Sequence, residues 1–263
     1  MWKYDQDAVI KLGTVAMKCL MDSLRVSRAL QIHDDILAEK GIKLRIGFDF
    51  DEYTRITRAT PTKEPIEPNF RPDLSPINPG EGYWIMGVDK ENAVAILAAQ
   101  RLYDLSNSNL AEHFQSLKAF YADPTVRANR SDRCTCRAPS AKTITGTVAY
   151  HGDYWIRKEF RGQGMSAIIA RMTHGLSFAM WAPDFLCALV ERWALDKGLV
   201  AQYACPHHEA DVSILVEVEG EIVDYEYWLI WRTGEELRNE FDCHNRNALI
   251  LTPPFPPTQL AAT

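Results

Sequence analysis

Arg161, Gly162, Gln163 and Gly164 are the residues whose types and spacing best suit chemistry. They follow a β-rich segment and precede a strongly apolar one, so the glycines are expected where a loop becomes the first turn of a helix. The first N–H groups of a helix lack helical partners, and the helix dipole adds about half a positive charge there. Glycine lets a pyrophosphate approach the backbone, and Arg161 adds a cation. The pattern predicts an anion site, although glycines here are also ordinary turn residues.

The elements that must position this site are a strand before it and a helix after it. Apolar spacing predicts seven elements in this half of the chain: strands Thr147–Ile156, Phe185–Val190, Asp211–Val218 and Ile222–Trp231, and helices Gln163–Met180, Glu191–Tyr203 and Gly234–Phe241. Strands interleaved with helices favour an α/β fold with a mixed sheet flanked by helices.

The first half of the chain is less regular. Helical spacing predicts an N-terminal helical segment from Asp5 to Lys40, and period-2 alternation predicts a strand from Lys43 to Phe50. The stretch from Pro61 to Pro79 has six prolines and is expected to be a loop. Further predicted elements are a hairpin of Tyr83–Val88 with Ala93–Leu102, a helix at Leu110–Tyr121 and an exposed basic loop at Arg127–Lys142.

Bulk properties narrow the class of protein. The chain has 263 residues, 46% of them hydrophobic, which suffices for one large domain. A net charge of −6 argues against a basic nucleic-acid clamp, and no window approaches the roughly 18 apolar residues of a membrane span. Six scattered cysteines and the lack of a signal-like start predict a reduced, cytoplasmic protein.

The segment from Ile156 to Ile169 resembles the acetyl-CoA signature of the GNAT superfamily of N-acetyltransferases. That signature is Gln or Arg, two residues, Gly, one residue, then Gly or Ala. Arg161 and Gly164 match it, and Ser166 replaces the final small residue. The order of predicted elements after the segment, namely helix, buried strand, helix and hairpin, is also similar to that family.

The resemblance implies a mostly antiparallel GNAT-like sheet and an enzyme that moves an acetyl or other short acyl group from coenzyme A to an amine by direct attack. The acyltransferase domain would span residues 43–241 with an insertion at 104–146, after an N-terminal helical extension at 1–42 and before a Pro-rich tail at 242–263. Acetyl-CoA or another acyl-CoA would be a substrate, and no metal is expected. The acceptor would be a small-molecule or peptide amine.

The resemblance also implies a donor site. The strand before the signature would lend backbone groups to the pantetheine arm, and the signature would hold the pyrophosphate. These positions are Tyr154, Trp155, Ile156, Arg161, Gly162, Gln163, Gly164, Met165 and Ser166.

Catalysis would need a base for the ammonium acceptor and an acid for the departing thiolate. In the family the acid is commonly a Tyr in Asn-x-x-Ala-x-x-x-Tyr, which maps here only as Asp196, Leu199 and Tyr203. Tyr203 is therefore the candidate acid. His151 is the first candidate base because histidine titrates near neutral pH. Alternatives for the base are Asp153, Glu191, His207 and His208, and a loop or surface histidine is the plain interpretation of His151.

Other patterns leave alternatives open. Cys134 and Cys136, Cys205 with His207 and His208, and Cys243 with His244 have poor spacing for zinc. The basic loop Arg127–Lys142 fits a solvated loop, a phosphate site or an RNA contact. The aromatic strand Tyr225–Trp231 fits a core, the edge of a homodimer or a pocket floor. Acceptor-pocket candidates are Asp51, Tyr53, Arg101, Tyr103, Tyr150 and Tyr225.

Two rival functions share the expected fold. One is an acyl-CoA sensor or interaction module that has lost or changed transfer chemistry. The other is a transferase whose donor is a carrier protein or an aminoacyl-tRNA, which would depend on the basic loop Arg127–Lys142.

Overall fold

The structure, a computed structural model, describes residues 24–218 and 221–242. Eight strands form one sheet in the order β1-β2-β3-β5-β6-β8-β7-β4. The strands are β1 (Lys43–Gly47), β2 (Gly82–Val88), β3 (Val94–Leu105), β4 (Arg133–Cys136), β5 (Gly146–Ile156), β6 (Phe185–Glu191), β7 (His207–Val218) and β8 (Glu221–Thr233). Only the β5–β6 pair is parallel. The predicted mixed, mostly antiparallel sheet is thus confirmed.

Helices cover both faces of the sheet. They are α1 (residues 24–39), α2 (Phe50–Ala59), α3 (Leu110–Gln115), α4 (Pro124–Arg127), α5 (Met165–Trp181), α6 (Arg192–Asp196), α7 (Leu199–Gln202) and α8 (Gly234–Asp242). Within the described residues, none of the helices combines the length and apolar character that crossing a bilayer requires.

Alternation along the strands divides the core into two layers. Trp84 and Leu97 face a cluster that includes Tyr53 of α2 and Phe114 of α3. Their neighbours in β2 and β3 face the opposite cluster, where α1 and α5 pack. Since successive side chains of a strand point to opposite sides, central strands with apolar residues on both faces are buried on both. We call the side of α2 and α3 the front face and the side of α1 and α5 the back face.

Three sequence-based expectations differ from the structure. The strand predicted to reach Phe50 ends at Gly47, because the Asp49 carboxylate accepts from the N–H groups of Asp51 and Glu52 and caps α2. The helix predicted at Glu191–Tyr203 is split into α6 and α7 at Gly198, whose φ is +69°. The basic loop Arg127–Lys142 contains β4, which pairs with β7.

Other predicted elements are observed with small changes of bounds. The hairpin of β2 and β3, strands β5 to β8 and helices α5 and α8 lie where apolar spacing placed them. The predicted helix at Leu110–Tyr121 is shorter and ends at Gln115. The N-terminal helix is seen over residues 24–39, and its predicted part before residue 24 lies outside the described residues, as do Cys243 and His244.

Candidate functional site

Strands β5 and β6 separate partway along their length. Their parallel pairing runs from Val148 and Phe185 to His151 and Ala188. Beyond that point β5 stays paired with β3 as far as Ile156, and β6 stays paired with β8 as far as Glu191. We call the gap between residues 152–156 of β5 and 189–191 of β6 the wedge. The strand edges that face it are not paired with each other, so their backbone groups can bind an extended ligand.

A β-bulge in β5 lies at the start of the wedge. Ala99 of β3 pairs with Gly152 and Leu97 pairs with Trp155, so β5 has one more residue than β3 in this interval. Asp153 adopts φ +51° there, in the left-handed region that non-glycine residues seldom occupy. Bulges sharpen the local twist and redirect side chains. This one turns β5 away from β6 and places a carboxylate at the wedge.

Hydrogen bonds from distant parts of the chain fix the bulge. The Asp153 carboxylate accepts from the Tyr53 hydroxyl at 2.6 Å and from Lys63 Nζ at 2.8 Å. The Asp153 N–H donates to Glu67 Oε1 at 3.0 Å. The side chains of Lys63 and Asp153 are 5% and 1% exposed, so this ion pair is buried, and its partners are required to offset desolvation.

The loop Thr62–Glu67 follows the bulge closely. Trp155 Nε1 donates to the Thr62 carbonyl at 3.2 Å, which fixes the other end of this loop. A β-carbon at Gly152 would lie 2.8 Å from Glu67 Oε2, so only glycine leaves room for that carboxyl group. Glu67 itself is partly exposed. The loop therefore places one carboxyl group against the front of β5 where the wedge opens.

The surroundings shift the acidity of this group. Burial, and then the negative charge of Asp153, raise the pKa of Glu67 to about 7. The hydrogen bond from the Asp153 N–H, the charge of Lys63 and a hydrogen bond from Tyr150 act in the opposite direction. Burial and the charge of Glu67 also raise the pKa of Tyr150 well above its usual range, so its hydroxyl remains a donor.

The predicted anion loop lies between β5 and α5. Gly162 and Gly164 have φ of +74° and +73°, and no atom lies within 4 Å of a β-carbon built at either. Gly164 is the N-cap of the 17-residue helix α5 and provides no side chain to its free N–H groups. These groups and the open space meet the requirements of the predicted anion site.

The other signature residues have distinct positions. Arg161 Nε donates to the Ile156 carbonyl at 2.7 Å, which ties the loop to the end of β5. Gln163 Nε2 donates to the Glu159 carbonyl at 2.8 Å. Met165, the first residue of α5, is buried in the back core, whereas Ser166 is partly exposed. The loop is thus held by its own side chains, and Gly162 and Gly164 leave its outer surface open.

The predicted pantetheine strand borders the wedge. Trp155 faces the front core, whereas Tyr154 and Ile156 face the back core. The Tyr154 ring contacts the ring of Tyr203 edge-on, with centroids 5.5 Å apart. Because Tyr203 follows α7 and Tyr154 belongs to β5, this contact spans the back of the wedge. Burial raises the pKa of Tyr203 to about 12.

The candidate acids and bases do not converge on one point. Glu191 ends β6 at the mouth of the wedge, where it is exposed and its Oε2 accepts from Trp193 Nε1 at 2.8 Å. Strand alternation directs it to the same face as Cys187, which is the front. Burial, and then the charges of Glu67 and Glu191, raise the pKa of Tyr227 above its usual range, so both carboxyl groups lie near that ring.

His151 lies on the opposite face, beneath α5. Its Nε2 is 2.9 Å from Ser177 Oγ, and its ring contacts that of His174 with centroids 5.5 Å apart. Burial, and then the charge of His174, lower the pKa of His151 well below its usual range. The structure therefore separates His151 from Glu67 and Glu191 by the sheet itself.

The sequence carries no pattern that marks Glu67 or Lys63 as site residues, and it indicates Tyr53 and Tyr150 only as pocket candidates. Both loop residues belong to a segment with no apolar periodicity, and Glu67 meets Asp153 across a separation of 86 residues. No local signal could have found that contact. Within the described ranges, no three His, Cys, Asp or Glu side chains are arranged to hold a metal. Cys134, Cys136, Cys187 and Cys205 are buried free thiols.

No family model and no curated protein matches the chain. Solved structures do match. NAA60 of Arabidopsis thaliana in complex with acetyl-CoA is 12% identical, with 73% of this chain and 98% of that chain covered at a TM-score of 0.41. The GNAT superfamily phosphinothricin acetyltransferase of Sinorhizobium meliloti with AcCoA is 11% identical, with 73% of this chain and 88% of that chain covered at a TM-score of 0.38. Spermidine N-acetyltransferase of Vibrio cholerae with CoA and spermine is 8% identical, with 75% of this chain and 98% of that chain covered at a TM-score of 0.37. The chain is thus similar to solved N-acetyltransferases of the GNAT superfamily.

Proposed function

We propose that this protein is an acyl-CoA-dependent N-acyltransferase that moves an acetyl or other short acyl group to an amine. The observation that carries the proposal is the wedge between two parallel strands, with the uncapped N-terminus of α5 at its side. A coenzyme A molecule has the two chemical parts that such a site would bind, an extended amide-containing arm and a pyrophosphate.

The pantetheine arm would lie in the wedge. Its amides would hydrogen-bond the backbone of Tyr154, Trp155 and Ile156, as an added strand pairs with a sheet edge. The pyrophosphate would accept hydrogen bonds from N–H groups between Arg161 and Ser166, where the dipole of α5 favours negative charge. The arm would direct the thioester toward the closed end of the wedge, beside the bulge.

The acyl group would pass directly from sulfur to nitrogen. A neutral amine attacks the thioester carbonyl, the C–N bond forms, and the C–S bond then breaks. Tyr203 is our candidate to protonate the departing thiolate, since its raised pKa keeps it protonated at neutral pH. His151 is not retained as the base because the sheet separates it from the front of the wedge. Glu191 would lie where an acceptor enters.

Calorimetric titration with coenzyme A tests the proposal. Gly164→Trp would fill the open space beside the N-terminus of α5, and we expect it to weaken coenzyme A affinity at least about tenfold, equivalent to roughly 1.4 kcal/mol. The matched control is Gly80→Trp, because Gly80 also has a positive φ and no atom within 4 Å of a β-carbon. Undetectable binding to the wild type, or equal affinity in both variants, would contradict the donor site.

Thiol release from acetyl-CoA with a panel of amines tests the second half of the proposal. Release that depends on an amine supports transfer. Coenzyme A binding without release across the panel would instead favour a sensor or interaction module.

A further inference from the structure

We propose that Glu67 is the general base of the transfer reaction and takes the proton from a protonated amine acceptor. This inference rests on the proposed function, because it assumes that a thioester occupies the wedge. It assigns a catalytic residue to the loop Thr62–Glu67, a segment that contributes neither a strand nor a helix.

The position of Glu67 carries the inference. Its Oε2 lies over Gly152, the first residue of β5 beyond the paired part of the parallel strands. A carboxyl group there is on the front face at the closed end of the wedge. The donor loop and Tyr203 lie at the side and back of the same gap. An amine that enters from the front would meet Glu67 before it reaches the thioester.

Comparison of the three carboxyl groups near the wedge favours Glu67 as the general base. The Asp153 carboxylate is almost fully buried, and Tyr53 and Lys63 already occupy both of its oxygens. Glu191 is exposed, and its Oε2 already accepts a hydrogen bond from Trp193 Nε1. Glu67 is partly exposed, and its Oε2 lies on the front face over Gly152. Its pKa is raised, and part of the residue stays accessible to solvent.

Asp153 acts on Glu67 through charge and geometry. Its carboxylate raises the pKa of Glu67, and its N–H holds Oε1 in place. Lys63 neutralises part of that charge and restrains the rise. Asp153 and Lys63 are therefore positioning residues. A base with a pKa near the working pH combines a useful ionised fraction with the driving force for proton transfer.

Proton transfers accompany each bond change in the proposed reaction. Ionised Glu67 takes one proton from the ammonium acceptor, and the freed nitrogen lone pair attacks the thioester carbon. The new nitrogen centre releases a second proton to solvent as the C–S bond breaks and sulfur leaves as a thiolate. Tyr203 protonates the thiolate and recovers a proton from solvent. Glu67 releases its proton to solvent, so each turnover yields amide, thiol and one free proton.

The test uses the full-length chain with acetyl-CoA and three primary amines: benzylamine, 1,4-diaminobutane and a lysine-containing peptide. We expect Glu67→Gln to lower kcat about 100-fold or more, the usual contribution of a general base, with coenzyme A affinity unchanged. Glu91→Gln, the same change at an exposed turn of the β2–β3 hairpin, should leave kcat unchanged.

A second variant separates catalysis from a structural role. Tyr150→Phe removes the hydroxyl that favours ionised Glu67, so the acid limb of the kcat–pH profile should move to higher pH. Carbon-13 NMR of labelled glutamate gives a readout that needs no acceptor. We expect one carboxyl group to titrate near pH 7, to disappear in Glu67→Gln and to move upward in Tyr150→Phe.

Each contrary outcome has one meaning. Turnover by Glu67→Gln within about threefold of wild type, or an acid limb unmoved in Tyr150→Phe, would overturn Glu67 as the base while coenzyme A binding and transfer stand. A wild type that binds coenzyme A but acylates none of the three amines would overturn the catalytic role. A wild type with no coenzyme A affinity would overturn the proposed function and this inference with it.

Discussion

Contacts with distant parts of the chain raise the pKa of the Glu67 carboxyl group to about 7. Burial and the charge of Asp153 favour its protonated form, while the Asp153 N–H, Lys63 and Tyr150 favour the ionised form. Burial and the charge of Asp153 have the larger effect, so the pKa of Glu67 is raised. Because the folded pKa exceeds the unfolded one, the folded state binds more protons between about pH 4.5 and 7, and its stability falls as pH rises through that window. A catalytic carboxylate held in this way lowers the stability of the protein at its working pH.

We therefore expect Glu67→Gln to be more stable than wild type at pH 8.5 and equal to it at pH 4.5 or below. The amide removes a charge that is costly to bury and keeps an oxygen for the Asp153 N–H. Circular dichroism melts at the two pH values measure the difference, and a rise in Tm of roughly 2 °C or more is expected at the higher pH. A lower Tm at pH 8.5 would mean that Glu67 chiefly stabilises the fold.

At this scale the sequence is informative where function depends on neighbours in the chain. Arg161 to Ser166 form one local turn, so their spacing predicted their place at the start of α5. Asp153 was considered as a base, but its partners Tyr53, Lys63 and Glu67 come from a helix and a loop about 90 to 100 residues away. Such contacts leave no periodic pattern.

Helix α5 covers a polar rather than a wholly apolar surface of the sheet. Ser177 Oγ lies 3.0 Å from the Tyr83 hydroxyl and 2.9 Å from His151 Nε2. His151 is held neutral because burial and His174 lower its pKa. In the unfolded state the His151 imidazole binds a proton near pH 6.5, whereas in the folded state it stays neutral at that pH. His151 therefore makes the stability of the protein fall as pH drops below 6.5.

We expect His151→Gln to weaken this acid sensitivity. The amide keeps a polar group for Ser177 but cannot gain a proton on unfolding. Between pH 7.5 and 5.0 the free energy of unfolding should fall by about 2 kcal/mol less than in wild type, as measured in urea. His208→Gln, at an exposed position, is the control and should behave as wild type. Equal losses in all three proteins would contradict a neutral His151.

A second element-scale prediction concerns β1. A β-carbon at Gly47 would lie 1.9 Å from the ring of Trp84, which is fully buried. Gly47→Ala should therefore lower the free energy of unfolding by about 2 kcal/mol or more, because the ring must move within a packed core. Ile46→Ala, at the exposed neighbour, should change it by less than about 0.5 kcal/mol. Chemical denaturation of both variants provides the comparison.

Sequence patterns placed long elements well and short ones poorly. Strand β5, helix α5 and strand β6 each carry enough apolar positions to reveal their period. The alternation of Phe48 and Phe50 continued that of β1 across the Asp49 cap, so α2 was missed. Apolar spacing predicts one helix through Gly198, although the left-handed conformation of this residue separates α6 from α7. A helix cap or a residue with positive φ ends an element without a visible break in the apolar periodicity of the sequence.

At the scale of the molecule, Arg232 connects the sheet with two helices of the back face. It donates to Glu240 and to the Glu236 carbonyl in α8, and its Nη1 lies 3.2 Å from His174 Nδ1 in α5. Burial raises the pKa of Glu240, but His174 and Arg232 outweigh it and lower the value to about 2. This buried cluster links β8, α8 and α5, so it helps to hold the back layer on the sheet.

Replacement of Arg232 by methionine should therefore destabilise the whole protein. The variant removes the closer of the two arginines that pair with Glu240 and leaves only Arg171 at 3.7 Å. We expect a loss of about 3 kcal/mol at pH 7 in chemical denaturation. Because the depressed pKa of Glu240 contributes stability above pH 4.5, the loss should shrink as pH falls from 4.5 toward 2. Arg192→Met, at an exposed ion pair, is the control. A loss independent of pH would contradict the role of charge.

The short parallel seam between β5 and β6 has a mechanical consequence. Four residue pairs join the half-sheet β1-β2-β3-β5 to the half-sheet β6-β8-β7-β4. A ligand that hydrogen-bonds to both open edges would act as a ninth strand and would link the two half-sheets. Its binding should then slow amide hydrogen exchange along the interior of both half-sheets as well as at the atoms that it touches.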